Sequence, residues 1–195
     1  MNIEEALAEA REVRDWVNLS LNGLSADRLL SRKRSALAGA CWHVTIEHEH
    51  GIVILVGNKL FGSALALLRP LYESFTRGLW LLHAASDAQV DQAEQDQLPG
   101  NKEVVDDLKK IGLAPHLREK WWDALNSYCH TGYRQIGPRL TENGLGQDYD
   151  ETEIVMALRW ANFMALFAVQ KFARYAQNEE LTQAAMTRLQ AVMPK

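Results

Sequence analysis

The stretch LAGACWHVTIEHEHGIVILV, Leu37 to Val56, decides how the rest of the chain is read. Wound at about 100° per residue it is apolar over most of its surface, and it shows no alternation of period two. A helix apolar on nearly every face is a buried one. Its small residues Gly39, Ala40 and Gly51, with Ala36 just before it, fall on one side. Small residues let a neighbouring backbone come close. His43, Glu47 and His50, at i, i+4 and i+7, lie on that same side. Polar groups at a tight helix contact need hydrogen-bond partners or water. His48 and Glu49 point elsewhere and are expected in solvent.

Helical periodicity continues outward in both directions. The expected helices cover residues 3–21, 26–56, 60–85, 88–97, 102–111, 115–130, 151–176 and 179–192. Ser25 or Asp27 caps the second, Ser86-Asp87 the fourth, Asn101 the fifth and Asp150 the seventh. Pro115 suits the first turn of the sixth. Residues 132–150 hold four Gly and one Pro and form the one long irregular segment. No repeat or low-complexity tract is present, and strand content should be near zero.

The composition agrees with this reading. The chain has 195 residues, 47% of them hydrophobic and 24% charged, with 12 Gly and 5 Pro. Such apolar content excludes disorder as the dominant state, and two cysteines cannot staple a chain of this length. The net charge of −4 gives no general attraction to nucleic acid or anionic lipid. The basic run Ser31-Arg32-Lys33-Arg34, preceded by Arg28, reads most simply as a solvated helix start. The longest strictly apolar run, residues 163–169, is far short of the about 20 residues of a membrane helix. No signal peptide is visible, so a cytoplasmic setting with Cys41 and Cys129 reduced is expected. The expected fold is all-α: residues 1–195 as a single helical bundle of about six to eight helices. The second and third form a central long antiparallel pair, and the long seventh packs along them.

The third helix carries a second polar stripe. Leu67, Leu71, Phe75, Gly78 and Leu82 share one face; Arg69, Glu73, Thr76, Trp80 and His83 share another, with Arg77 at its margin. Arg69–Glu73 and Glu73–Arg77 are i, i+4 pairs. Pro70 inside the helix costs about 3 kcal/mol and should kink it beside Arg69. A solvent face rarely spends a Trp, so this stripe is expected to line a cleft and to meet His43, Glu47 and His50. Further on, Gly132 is a natural helix stop in the left-handed conformation. His130 then lies in the last turn, where the macrodipole favours a cation, and His130, Thr131 and Tyr133 make a polar corner.

What chemistry could these groups support? Glu47 and His50 have the Glu-x-x-His spacing that di-iron bundles use in pairs, but no second copy exists. His43 to His50 spans about 10.5 Å of helix axis, too far for one ion to be gripped by all three residues. No metal and no cofactor are therefore expected, and nothing resembles a phosphate-cradling Gly loop or a nucleophile elbow. Arg77 and His83 form an Arg-x5-His that resembles the signature of the HEPN helical superfamily. That resemblance implies a metal-independent ribonuclease or toxin, with Arg77 stabilising phosphate charge and His83 as acid or base.

A second resemblance covers most of the chain. Glu47 to Val56, Gly62 to Glu73, Arg77 to His83, and Asn126-Ser-Tyr-Cys-His130-Thr-Gly132 are similar to motifs of an uncharacterised bacterial family of all-helical domains. It implies fold and setting, not reaction, and marks Arg69, Glu73, Arg77, Trp80, His130 and Gly132 as motif positions. The leading expectation for function is thus a binding or regulatory domain. Arg69, Glu73, His130 and Tyr133, with His43, Glu47 and His50 nearby, would hold a small anionic ligand or a protein partner. The alternatives are the ribonuclease, with RNA as its partner, and a structural bundle that forms a homodimer. No membrane partner is expected.

Overall fold

Apolar residues at helical spacing pull the chain into ten α-helices among the residues described by the computed structural model, 1–113 and 117–192, without side chains for 117–120. They are α1 (Ile3–Leu21), α2 (Asp27–Leu30), α3 (Lys33–Gly57), α4 (Phe61–His83), α5 (Asp87–Ala93), α6 (Asn101–Lys110), α7 (Leu117–Cys129), α8 (Tyr133–Ile136), α9 (Glu151–Tyr175) and α10 (Glu179–Val192). A 3-10 turn, Gly137–Arg139, leads into a minimal antiparallel hairpin of β1 (Leu140–Thr141) and β2 (Gly144–Leu145). Pro115 lies outside the described residues.

The central pair is α3 and α4. Trp42 packs on Gly78, the Thr45 and Ser74 hydroxyls meet at 2.9 Å, and Gly51 faces Leu67. Residue numbers rise along α3 as they fall along α4, so the pair is antiparallel. α9 packs on α1, α3, α4 and α10, and α6 and α7 pack on α4. The resulting hydrophobic cluster runs from Ala6 in α1 to Val192 in α10. By length and composition alone α9 could cross a membrane, with a window of mean hydropathy 1.3. Here 56% of that window is buried inside the bundle.

Two ends of the central pair are fixed differently. At one end, residues 58–60 make a short turn in which Lys59 is left-handed. At the other, Arg34 of α3 reaches the C-terminus of α4. Its Nη1 donates to the carbonyls of Leu81 and Ala85, both at 2.6 Å, and its Nη2 to Asp87 at 2.7 Å. Carbonyls left unpaired at a helix end are good acceptors for a cation.

Several sequence expectations need correction. The second helix is not continuous over 26–56: Arg32 is extended (φ −133°, ψ 136°) and separates α2 from α3. The Ser35 side chain bonds the carbonyls of Leu29 and Arg32, so a local hydroxyl replaces the helical bonds lost there. Gly39 then receives the Leu29 side chain, so this part of the small-residue side seats α2, not a second long helix. Glu49 is not in solvent; it is completely buried. Asn101 does not cap α6 from outside. Gly100 holds that position, and the buried Asn101 amide donates to Thr76 of α4 at 3.2 Å. The left-handed residue after α7 is Thr131 (φ 56°), whereas Gly132 has φ −75°. Gly132 is needed for room: a Cβ there would lie 2.9 Å from Ser127 Cα. α4 runs through Pro70 without a break.

Candidate functional site

The residues of the second polar stripe end in three different environments. Trp80 is fully buried, and its indole N–H donates to Asp107 of α6 at 3.1 Å. Arg69 and Glu73 are half-buried at the α4–α7 contact. Arg69 Nε donates to Glu73 at 3.0 Å, and its guanidinium lies 5.2 Å above the Trp122 ring. Arg69 Nη1 also donates to His130 Nε2. The structure therefore brings Arg69, Glu73 and His130 together, and Trp122 completes the set. Among the described residues, five cavities of the molecule are lined by other side chains and by none of these four. A charge held by a carboxylate, an imidazole and an aromatic face has its interactions supplied from within.

Arg77 does not extend this network. Its Nε is buried without a hydrogen-bond partner among the described residues, and its charge acts on Cys41 of α3. His83 is exposed; burial of part of its ring, then Lys171 of α9, pulls its pKa below the usual histidine value. The two side chains thus answer to different neighbouring helices, and none of the five cavities is lined by both.

Tyr133 is 76% exposed and lines a shallow cavity of about 390 Å³ beside α8. Glu153, at the start of α9, also lines it. Its carboxylate accepts from Arg134 at 2.8 Å and from the Tyr128 hydroxyl. Burial, then the Glu153 carboxylate, raises the Tyr128 pKa well above the usual phenol range. In the sequence Glu153 is only one of the residues of the first turn of the expected helix 151–176. Arg134, one residue beyond Tyr133, was the available signal that this segment folds back on it. Tyr149 pins the same segment to α4. Its hydroxyl donates to the Gln135 carbonyl at 2.8 Å, and Gly62 leaves it room.

The first polar stripe lies elsewhere. His43, Glu47 and His50 line a cleft of about 530 Å³ with Asn18 and Asn22 of α1 and its following turn. Leu21, Ile46 and Phe172 supply its apolar wall. His50 is already held: Nδ1 meets Glu49 at 2.6 Å and Nε2 meets Asn18 at 2.9 Å. Burial drives the Glu49 pKa up, with His50 opposing, and Glu49 Oε1 has no hydrogen-bond partner among the described residues. His43 and Glu47, one helical turn apart, are exposed and have no hydrogen-bond or ion-pair partner among the described residues. None of the five cavities is lined by both polar stripes. Among the described residues, no group of three or more His, Cys, Asp or Glu side chains is placed to hold a metal ion.

Fold and site together define an all-helical domain with a half-buried Arg-Glu-His network and a separate open cleft. The chain belongs to DUF6988, a family of unknown function, which matches residues 42–194. No curated protein and no solved structure matches it.

Proposed function

We propose that this chain is a binding domain and that its ligand occupies the cleft beside His43 and Glu47. The observation that carries this reading is the pair itself. These are two polar side chains one turn apart, free of partners among the described residues, facing the same open volume of about 530 Å³. That volume falls within the range of small-molecule sites, and a few placed polar groups over an apolar wall are their usual lining. Glu47 is the one formally charged side chain in the lining, which favours a ligand other than an anion in this cleft. That ligand carries a hydrogen-bond-donating or cationic head and an apolar body. The Arg69, Glu73 and His130 cluster serves in this reading as the joint between α4 and α7.

The test is ligand-observed NMR with matched sets of small aromatic amines and aromatic acids. Amines should bind, and Glu47→Gln should abolish that binding while the fold stays intact. Preference for acids, or binding unchanged in Glu47→Gln, would remove the reading.

A further inference from the structure

A second cleft opens where the start of α3 meets the end of α9, also with a volume of about 530 Å³. It shares no lining residue with the cleft beside His43. Its lining is basic: Arg28 from α2, Arg32 and Arg34 at the start of α3, and Arg174 from α9. Among the described residues, no acidic side chain lines it. Arg34 is committed to the carbonyls of Leu81 and Ala85 and to Asp87. The guanidiniums of Arg28, Arg32 and Arg174 have no hydrogen-bond or ion-pair partner among the described residues.

All three side chains are exposed, so water screens their mutual repulsion and leaves their charges available to an incoming anion. In a chain with net charge −4, three cations from three elements converge on one concavity with no counter-charge in its lining. The first turn of α3 adds to the positive field, because it contains no acidic residue and has no side-chain cap. Its leading backbone N–H groups lack helical acceptors, and the Ser35 side chain is turned to carbonyls instead. The Tyr175 hydroxyl sits in the same cleft and feels Arg32. Guanidinium forks match the oxygens of a phosphate in pairs, and a helix start supplies N–H donors of the same polarity.

We infer that this cleft is a binding site for a phosphate-bearing small molecule, held by Arg28, Arg32 and Arg174. A concavity of about 530 Å³ suits a compact ligand. A nucleic-acid track would need a basic stripe extending over the surface, which the acidic net charge does not favour.

Inorganic pyrophosphate is the probe, titrated at near-physiological salt and followed by calorimetry and by amide chemical shifts. Saturable binding is expected, with shifts centred on Arg28, Arg32, Ser35 and Tyr175. Arg32→Gln and Arg174→Gln should each weaken it about tenfold, since a charge-assisted bond is worth about that factor. Arg188→Gln, which removes an arginine stacked on Trp16, should leave it unchanged. The shift map needs no variant, so it decides the matter even if a substitution perturbs folding. Absence of saturable binding, or shifts centred elsewhere, overturns the proposal. So does a single-stranded oligonucleotide that binds more tightly than pyrophosphate with a steep salt dependence, which would make the cleft part of a nucleic-acid surface.

Discussion

Trp42 of α3 fills the notch that Gly78 leaves in α4: a Cβ at position 78 would stand 2.6 Å from Trp42 Cδ1 and 2.9 Å from its Cε2. Both residues are buried, and Trp42 also meets Phe172 edge-on at 6.3 Å. The central helices can approach only while position 78 has no side chain. Gly78→Ala should therefore destabilise the fold by about 1–3 kcal/mol, the usual cost of overpacking, despite the better helix propensity of Ala. Denaturant unfolding monitored by tryptophan fluorescence measures it. A variant as stable as the parent would show that α3 and α4 separate freely.

The Arg69 network makes a prediction about coupling. Removing Glu73 leaves a half-buried guanidinium with one partner fewer, and removing Arg69 leaves the carboxylate in the same position. In a double-mutant cycle, Arg69→Ala and Glu73→Ala should together cost less than the sum of the single changes. A coupling of about 1 kcal/mol is expected for contacting residues of one network. Additive losses would mean that the two side chains stabilise the fold independently.

Glu49 makes a prediction about pH. Its carboxyl titrates above the unfolded value because burial disfavours the anion. Over the interval between the two values, the folded state keeps a proton that the unfolded chain has lost. Stability from this group is full below the unfolded carboxylate range and falls as pH rises through the folded value. Glu49→Gln cannot ionise and should show a shallower loss of melting temperature from mildly acidic to alkaline pH. Parallel pH profiles for the two proteins would contradict this.

The two thiols should react very differently. Cys41 is largely enclosed, and burial raises its pKa, so little of the reactive thiolate exists at neutral pH. Cys129 is exposed at the end of α7. A neutral-pH thiol reagent should modify Cys129 rapidly and Cys41 far more slowly. Mass spectrometry of the labelled peptides reads this directly, and equal rates would place Cys41 at the surface.

Much of the fold was legible because apolar periodicity reports burial. It placed α1, α9 and α10 to within a residue and paired α3 with α4. It failed where one hydroxyl or one glycine overrules periodicity: the Ser35 side chain ends a helix that the apolar pattern carries straight through. For the site, spacing on α4 correctly joined Arg69 to Glu73, and the motif at the end of α7 brought in His130. Spacing on one helix cannot say which neighbour a face meets. The two polar stripes were therefore expected in one cleft and lie in two places. Glu49 was misplaced for a related reason, since three ionisable neighbours made its position look wet. Arg28 and Arg32 read in the sequence as a solvated helix start, because their meeting with Arg174 depends on a fold contact between chain segments about 140 residues apart.

The grip of Arg34 on the last carbonyls of α4 has a mechanical consequence. With the 58–60 turn at one end and this clasp at the other, α3 and α4 form a closed ring of two struts. Neither strut can fray or swing outward from its end without breaking the clasp. Their amides should exchange with solvent through opening of the whole bundle instead of from the tips inward. The arginine cleft stands on this locked rim, so its walls keep their spacing before anything enters.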